Sequence, residues 1–152
     1  MRLEHLMDVH ADLKDPVVVG DGPFGTRQIF DVTGGHFEGP RLKGTVEASG
    51  GDWILIGPDG VGRLDVRATL RTEDDAVIYM QYPGVAVFNE AVITALAEGS
   101  ATEFGDTDFF TQPRFETGHA EYGWLNAVVA VGEGRTLPNA VEYRISRVVT
   151  DG

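Results

Sequence analysis

The sequence predicts an all-β chain, roughly nine or ten sequential strands closed into a single antiparallel barrel with one short helix. Three observations predict it. Apolar and polar residues alternate strictly over several stretches, as where Leu64, Val66, Ala68 and Leu70 interleave with Arg63, Asp65, Arg67, Thr69 and Arg71. Glycine-rich turn signals separate these stretches, and glycine reaches 20 of 152 residues, where an average chain of this length holds about 11. Helical periodicity is confined to one segment. Turn-linked strands in such number lose their exposed edges by closing on themselves; a β-sandwich is the alternative packing.

The elements follow in order. Residues 3–13 alternate, with Leu3, His5, Met7, Val9, Ala11 and Leu13 on one face and Glu4, Asp8, His10 and Asp12 on the other. Pro16, Gly20, Gly22 and Gly25 mark a long loop. Within it Gly20–Gly25 fits G-x-G-x-x-G, but a dinucleotide fingerprint must open a helix that holds pyrophosphate, and residues 26–30 continue as strand. Residues 27–33 form that strand, and Gly34-Gly35 and Gly39-Pro40 frame an irregular piece before a strand over 42–48. Gly50-Gly51 reads as a turn, 52–56 as a strand and Pro58-Asp59-Gly60 as a second turn.

The clearest hairpin joins residues 61–71 to 76–82 around Glu73-Asp74-Asp75, and Pro83-Gly84 breaks it. Residues 88–98 are the helix: Phe88, Val92, Ala95 and Leu96 share a stripe, and Gly99 stands where a helix stops. Residues 104–115 and 120–131 read as strands, 132–138 as a loop and 141–149 as the closing strand.

One domain over residues 1–152 accommodates this count with a real core. The net charge of −12 argues against a nucleic-acid or anionic-membrane surface, because both need a basic patch. With no cysteine, disulfides and thiolate chemistry are excluded. The N-terminal residues carry charges and no apolar h-region, and no run reaches the ~18 apolar residues of a membrane span. A cytoplasmic protein is therefore expected. The histidines show no metal-ligand spacing, and neither GxSxG nor GxxxxGK[ST] occurs. No metal and no cofactor is expected.

Four segments, GGHFEGPRLKGTV (34–46), GGDW (50–53), LDVRATLRTEDDAVIYMQYPG (64–84) and FETGHAEYGWLN (115–126), together resemble the DUF3237, or UPF0311, family of small bacterial and fungal proteins. Asp75 departs from the pattern, where the turn more often has glycine. The resemblance implies a lipocalin- or calycin-like antiparallel barrel. It implies no catalytic residue, since the family has no assigned general function.

Candidate chemistry centres on residues 113–126, read as an extended segment. Its alternation puts Tyr122, Trp124 and Asn126 on one face, a row of phenol, indole and amide suited to a pocket wall. The row needs an acid–base partner, and Asp65, flanked by Arg63 and Arg67 at i±2, is the candidate. Asp65, Arg67, Tyr122 and Asn126 are thus expected to be catalytic, with Tyr122 and Asn126 holding a substrate oxygen. Arg63, Trp124, Glu38, Tyr79 and Glu116 are expected to contact ligand. Tyr79 and Tyr82 fall on opposite faces, so one of them at most joins the pocket.

Each assignment has a plainer counterpart. Arg63, Asp65, Arg67 and Arg71 fit a solvated ladder on the barrel exterior. Trp124 suits core filling as well as stacking, and Glu38 lies in a glycine bend natural to a barrel corner. Three functional readings follow. The first is a cofactor-independent enzyme doing proton-transfer chemistry on a small apolar or aromatic molecule, of hydratase, lyase, isomerase or cyclase type. The second is a barrel that binds such a ligand without turnover. The third is a filled barrel whose strand edges build a homo-oligomer.

Overall fold

Ten antiparallel strands form one hydrogen-bonded sheet, and eight of them close it into a barrel. The computed structural model describes residues 1–152. In chain order the elements are β1 (Arg2–Leu13), β2 (Val17–Gly22), β3 (Gly25–Glu38), β4 (Lys43–Ile56), β5 (Val61–Thr72), β6 (Val77–Val87), α1 (Glu90–Glu98), β7 (Phe109–Thr111), β8 (Arg114–Glu116), a 3₁₀ segment (Ala120–Ala127), β9 (Ala130–Leu137) and β10 (Ala140–Val149). The barrel runs β1-β10-β9-β7-β6-β5-β4-β3, and β3 pairs back onto β1. Strand β2 extends from β3 outside the ring, and β8 adds to β6. This is the all-β barrel that the alternation and turn spacing imply.

Alternation fixes which side chains enter. Along β5, Leu64, Val66, Ala68 and Leu70 are buried while Arg63, Asp65 and Arg67 are exposed. The helix follows its sequence signals closely. Asn89 caps it by accepting the Val92 N–H at 3.1 Å, and Gly99 ends it at φ 66°, donating its N–H to the Ala95 carbonyl.

Three glycine- or proline-containing pairs expected to break strands lie inside them instead. Gly34-Gly35 is within β3, Gly50-Gly51 within β4 and Pro83-Gly84 within β6. The first two sit at register shifts, between Asp31 and His36 and between Val46 and Gly50, where a long strand bends to follow the barrel wall. Gly35 has φ 136°, and a Cβ there would run into the His10 carbonyl of β1. Gly35→Ala is therefore expected to destabilise the fold by roughly 2–4 kcal/mol, measured as a lower denaturation midpoint.

Other boundaries also moved. The expected loop at residues 132–138 is mostly β9, and the Gly20–Gly25 motif forms the β2–β3 hairpin. Residues 120–131, expected as a strand, begin with the 3₁₀ segment, which buries Tyr122 and Leu125 at the three-residue repeat of that helix.

The two halves of the barrel are packed differently. At the end closed by the β5–β6 turn and the 3₁₀ segment, Met7, Phe37, Leu70, Ile78, Leu125 and Ile145 are essentially inaccessible to solvent. At the other end, α1 and the β1–β2 and β9–β10 turns surround an opening. No helix is long and apolar enough to cross a membrane.

Candidate functional site

The open half of the barrel encloses a cavity of about 640 Å³, within the range of small-molecule pockets. Its wall is mostly apolar: Phe30 and Val32 from β3, Ile54 from β4, Leu64 and Val66 from β5, Val141 from β10. Helix α1 turns Val92, Ala95 and Leu96 toward the opening, and Lys14, Asp15, Ser100 and Asn139 supply polar atoms there.

Five polar side chains come from strand positions in this wall: Gln28, Asp52, Tyr82, Thr136 and Tyr143. The ladders pair Phe30 with Asp52, Asp52 with Val66, and Val66 with Tyr82. Asp52 and Tyr82 therefore stand at one level, separated by a single strand. Tyr143 enters from β10, and its ring meets Tyr82 edge-on at 5.3 Å and 74°. Phe109 packs against Tyr143 in the same way at 5.5 Å. The aromatic row thus crosses the lumen from β6 to β10.

The electrostatics of these groups follow from lost water. Burial pushes the Asp52 carboxyl up from 3.8 to about 6, against the pull of the Asp65 N–H, which it accepts at 3.1 Å; the Asp65 charge pushes it further up. Burial raises both phenols as well. Tyr82 is partly offset by the Tyr143 hydroxyl, and Tyr143 is raised further by Tyr82 and by the Asp52 charge. Near pH 6 the site presents a carboxyl divided between its two forms beside two neutral hydroxyls. That set can take a proton, return it, and stabilise charge on an oxygen.

The residues expected to build a site lie elsewhere. Arg63, Asp65 and Arg67 face solvent on the outer surface of β5, because their strand sends its apolar set inward. Arg63 pairs with Asp59 at 3.4 Å, and Asp65 touches the cavity only through its backbone N–H. Tyr122 packs into the closed end and donates to Asp74 at 2.8 Å. Asn126 closes a local ring, accepting the Thr117 N–H at 2.8 Å and donating to the Thr117 carbonyl at 2.9 Å. Trp124 lies beneath the Arg41 guanidinium at 3.7 Å, a cation–π contact. Glu38 is exposed at the end of β3, paired in register with Lys43.

Tyr79, Glu116 and Asn126 are brought together in a separate groove of about 600 Å³ on the outer face of β6 and β8. Tyr122 and Trp124 do not line that groove with Asn126, since a 3₁₀ turn does not alternate as a strand does.

A signal for the cavity groups was present in the sequence. Asp52 shares its strand face with Ile54 and Ile56, Tyr82 with Ile78 and Met80, and Tyr143 with Val141 and Ile145. Each is a polar atom carried on the apolar side of the alternation. Asp65, by contrast, sits among the charged residues of its strand.

The family model described as "Protein of unknown function (DUF3237)" matches residues 1–148. A beta-barrel like protein from Acinetobacter baumannii is 33% identical in its crystal structure, with TM-score 0.82 over 96% of this chain and 94% of that one. The UPF0311 protein of Rhodopseudomonas palustris, described as a conserved protein of unknown function, is 28% identical, with TM-score 0.89 over 98% and 99% of the two chains. A Penicillium roqueforti relative, "PR-toxin biosynthesis cluster protein 7", is 26% identical over 157 residues, covering 90% of this chain and 83% of its own.

Proposed function

We propose that this chain, which belongs to the DUF3237 family, is an enzyme that carries out proton-transfer chemistry on a small, largely apolar molecule held inside its barrel. The observation that carries the proposal is Asp52, a carboxylate set in an apolar cavity that pushes it up to about 6. Burying a carboxyl without a cationic partner lowers stability, so a fold that keeps one inside a cavity has it there for a task. The relative named for a toxin biosynthesis cluster supports a small-molecule substrate.

Asp52 acts as the acid–base group. In its ionised form it removes a proton from a C–H or O–H of the substrate, and in its neutral form it returns one to the atom that needs it. Tyr82 and Tyr143 donate hydrogen bonds to the oxygen on which negative charge develops. The apolar wall positions the hydrocarbon body and keeps bulk water from competing for the proton. Hydration or dehydration, isomerisation, lyase cleavage and ring closure all share this step, and the side chains present suffice for it.

The test is a screen of small lipophilic molecules for conversion by the purified protein, followed by paired variants. Asp52→Asn is expected to lower turnover about 10²–10⁴-fold while ligand affinity stays within a few fold. Asp65→Asn, on the outer surface, is expected to leave turnover within about two-fold. Turnover that survives Asp52→Asn would remove the acid–base role. Tight binding of a co-purifying molecule without any conversion would instead favour a non-catalytic binding barrel.

A further inference from the structure

The ladder between β4 and β5 has a gap beside Asp52. The strands pair Gly51 with Arg67 and Asp52 with Val66, then resume in the same register at Leu55 with Arg63. That register puts Trp53 opposite Asp65. On β5 the Thr72 N–H donates to the Ala76 carbonyl near the turn into β6, so even-numbered β5 residues bond toward β6 and odd-numbered ones toward β4. The Asp65 N–H should therefore meet the Trp53 carbonyl. It donates to Asp52 Oδ1 at 3.1 Å instead. The Trp53 carbonyl accepts from Arg27 Nη1 at 2.7 Å. Loss of that one main-chain bond accounts for both missing pairs, Trp53 with Asp65 and Ile54 with Leu64.

Arg27 is well placed for this exchange. On β3 it is paired with Leu55 of β4, so its side chain leaves the outer face two residues from Trp53 along β4. We infer that Arg27 is a positioning residue: by taking the Trp53 carbonyl out of the ladder it frees the Asp65 N–H to reach through the wall and hold the Asp52 carboxylate. The inference rests on the reading of Asp52 as the acid–base group only for its catalytic consequence; the hydrogen-bond exchange is testable without a substrate. A guanidinium on the outside of the barrel thereby sets the orientation and proton affinity of a carboxyl on the inside. Other ionisable groups facing Asp52 are Tyr82 from β6 and Tyr143 from β10 within the cavity, and Asp65 from β5 across the wall. Lys14 and Asp15 stand at the opening.

The experiment follows the Asp52 carboxyl and the Asp65 amide by NMR through a pH titration of the full chain. In the parent, the Asp65 amide shift is expected to track the Asp52 midpoint near 6, because the amide donates to that carboxylate. In Arg27→Met the Trp53 carbonyl should reclaim the Asp65 N–H. The amide response is then expected to fall several-fold, and the Asp52 midpoint to rise by about one unit. Arg27→Lys keeps a donor and the charge, and is expected to restore both readings most of the way.

An Asp65 amide that follows Asp52 undiminished in Arg27→Met would overturn the inference, and so would a lysine variant no closer to the parent than the methionine one. A midpoint that rises while the amide response is unchanged reports only the lost charge of Arg27, and counts against the exchange. Once a substrate is in hand, the pH profile of turnover should move with the Asp52 midpoint in Arg27→Met. If the amide result holds but turnover survives Asp52→Asn, the catalytic reading fails and the positioning stands.

Discussion

At pH 8 the Asp52→Asn variant is expected to be more stable than the parent by about 2–3 kcal/mol, the opposite sign to the loss of turnover that the proposed acid–base role predicts for it. The direction follows from linkage. Asp52 has a folded-state value of about 6, above its ordinary 3.8. Below 3.8 the group is protonated in both states and its contribution to stability is fully present. As pH rises through 6 that contribution is lost, because the unfolded chain releases the proton easily while the folded chain must ionise a carboxyl away from water. Asparagine never ionises, and its oxygen still accepts the Asp65 N–H.

The variant's advantage should therefore vanish toward pH 4 and reach a plateau above about pH 7. Glu142 behaves oppositely. His10 and Arg135 hold its carboxyl below the usual range, so its contribution is present above its ordinary value and lost as pH falls. That loss is common to parent and variant and cancels in the difference. Thermal unfolding of both proteins at pH 4, 6 and 8 reads the effect. A difference that stays flat across this range would mean that Asp52 is not held in its neutral form by burial.

The second large effect contrasts the two halves of the barrel. Phe37 is 2% exposed in the packed end, and Phe37→Ala is expected to cost about 3–5 kcal/mol, the lost transfer of the ring plus the cavity it leaves. Phe30 lies on the same strand and the same inward side, but it borders the existing cavity. Phe30→Ala enlarges a space already open, so its cost should stay near 1 kcal/mol, while affinity for an apolar ligand falls several-fold. Denaturant titration of the two variants gives the comparison. Equal losses would mean that the open half is as tightly packed as the closed one, which would leave no room for a substrate.

The barrel was legible in the sequence because its cause is local. Alternation in β1, β5, β6 and β10 and the turns between them specify strands whatever the strands pair with. The helix was equally legible from Gly99 and the apolar stripe of Val92, Ala95 and Leu96, although Phe88, read as its first residue, precedes the Asn89 cap. The glycine pairs misled, since Gly34-Gly35 and Gly50-Gly51 serve close strand approach and bending inside β3 and β4 rather than turning the chain. The segment around Tyr122 misled for a related reason. Two- and three-residue repeats are hard to separate over eight residues, and only the packing of Tyr122 and Leu125 against the closed end selects the latter.

The sequence by itself determined where strands alternate, that Asp65 shares a face with Arg63 and Arg67, and that Asp52 shares one with Ile54 and Ile56. What only the tertiary structure decided was which of those faces became the inside. An isolated strand presents its two faces equally to water. Closure of the sheet assigns one to a packed core at one end and to a cavity at the other. The meeting of Asp52 with Tyr82 and Tyr143 is likewise tertiary. It joins residues from β4, β6 and β10, whose levels are set by the ladders between them. The raised proton affinity of Asp52 belongs there too, since it arises from the removal of water by strands far apart in the chain.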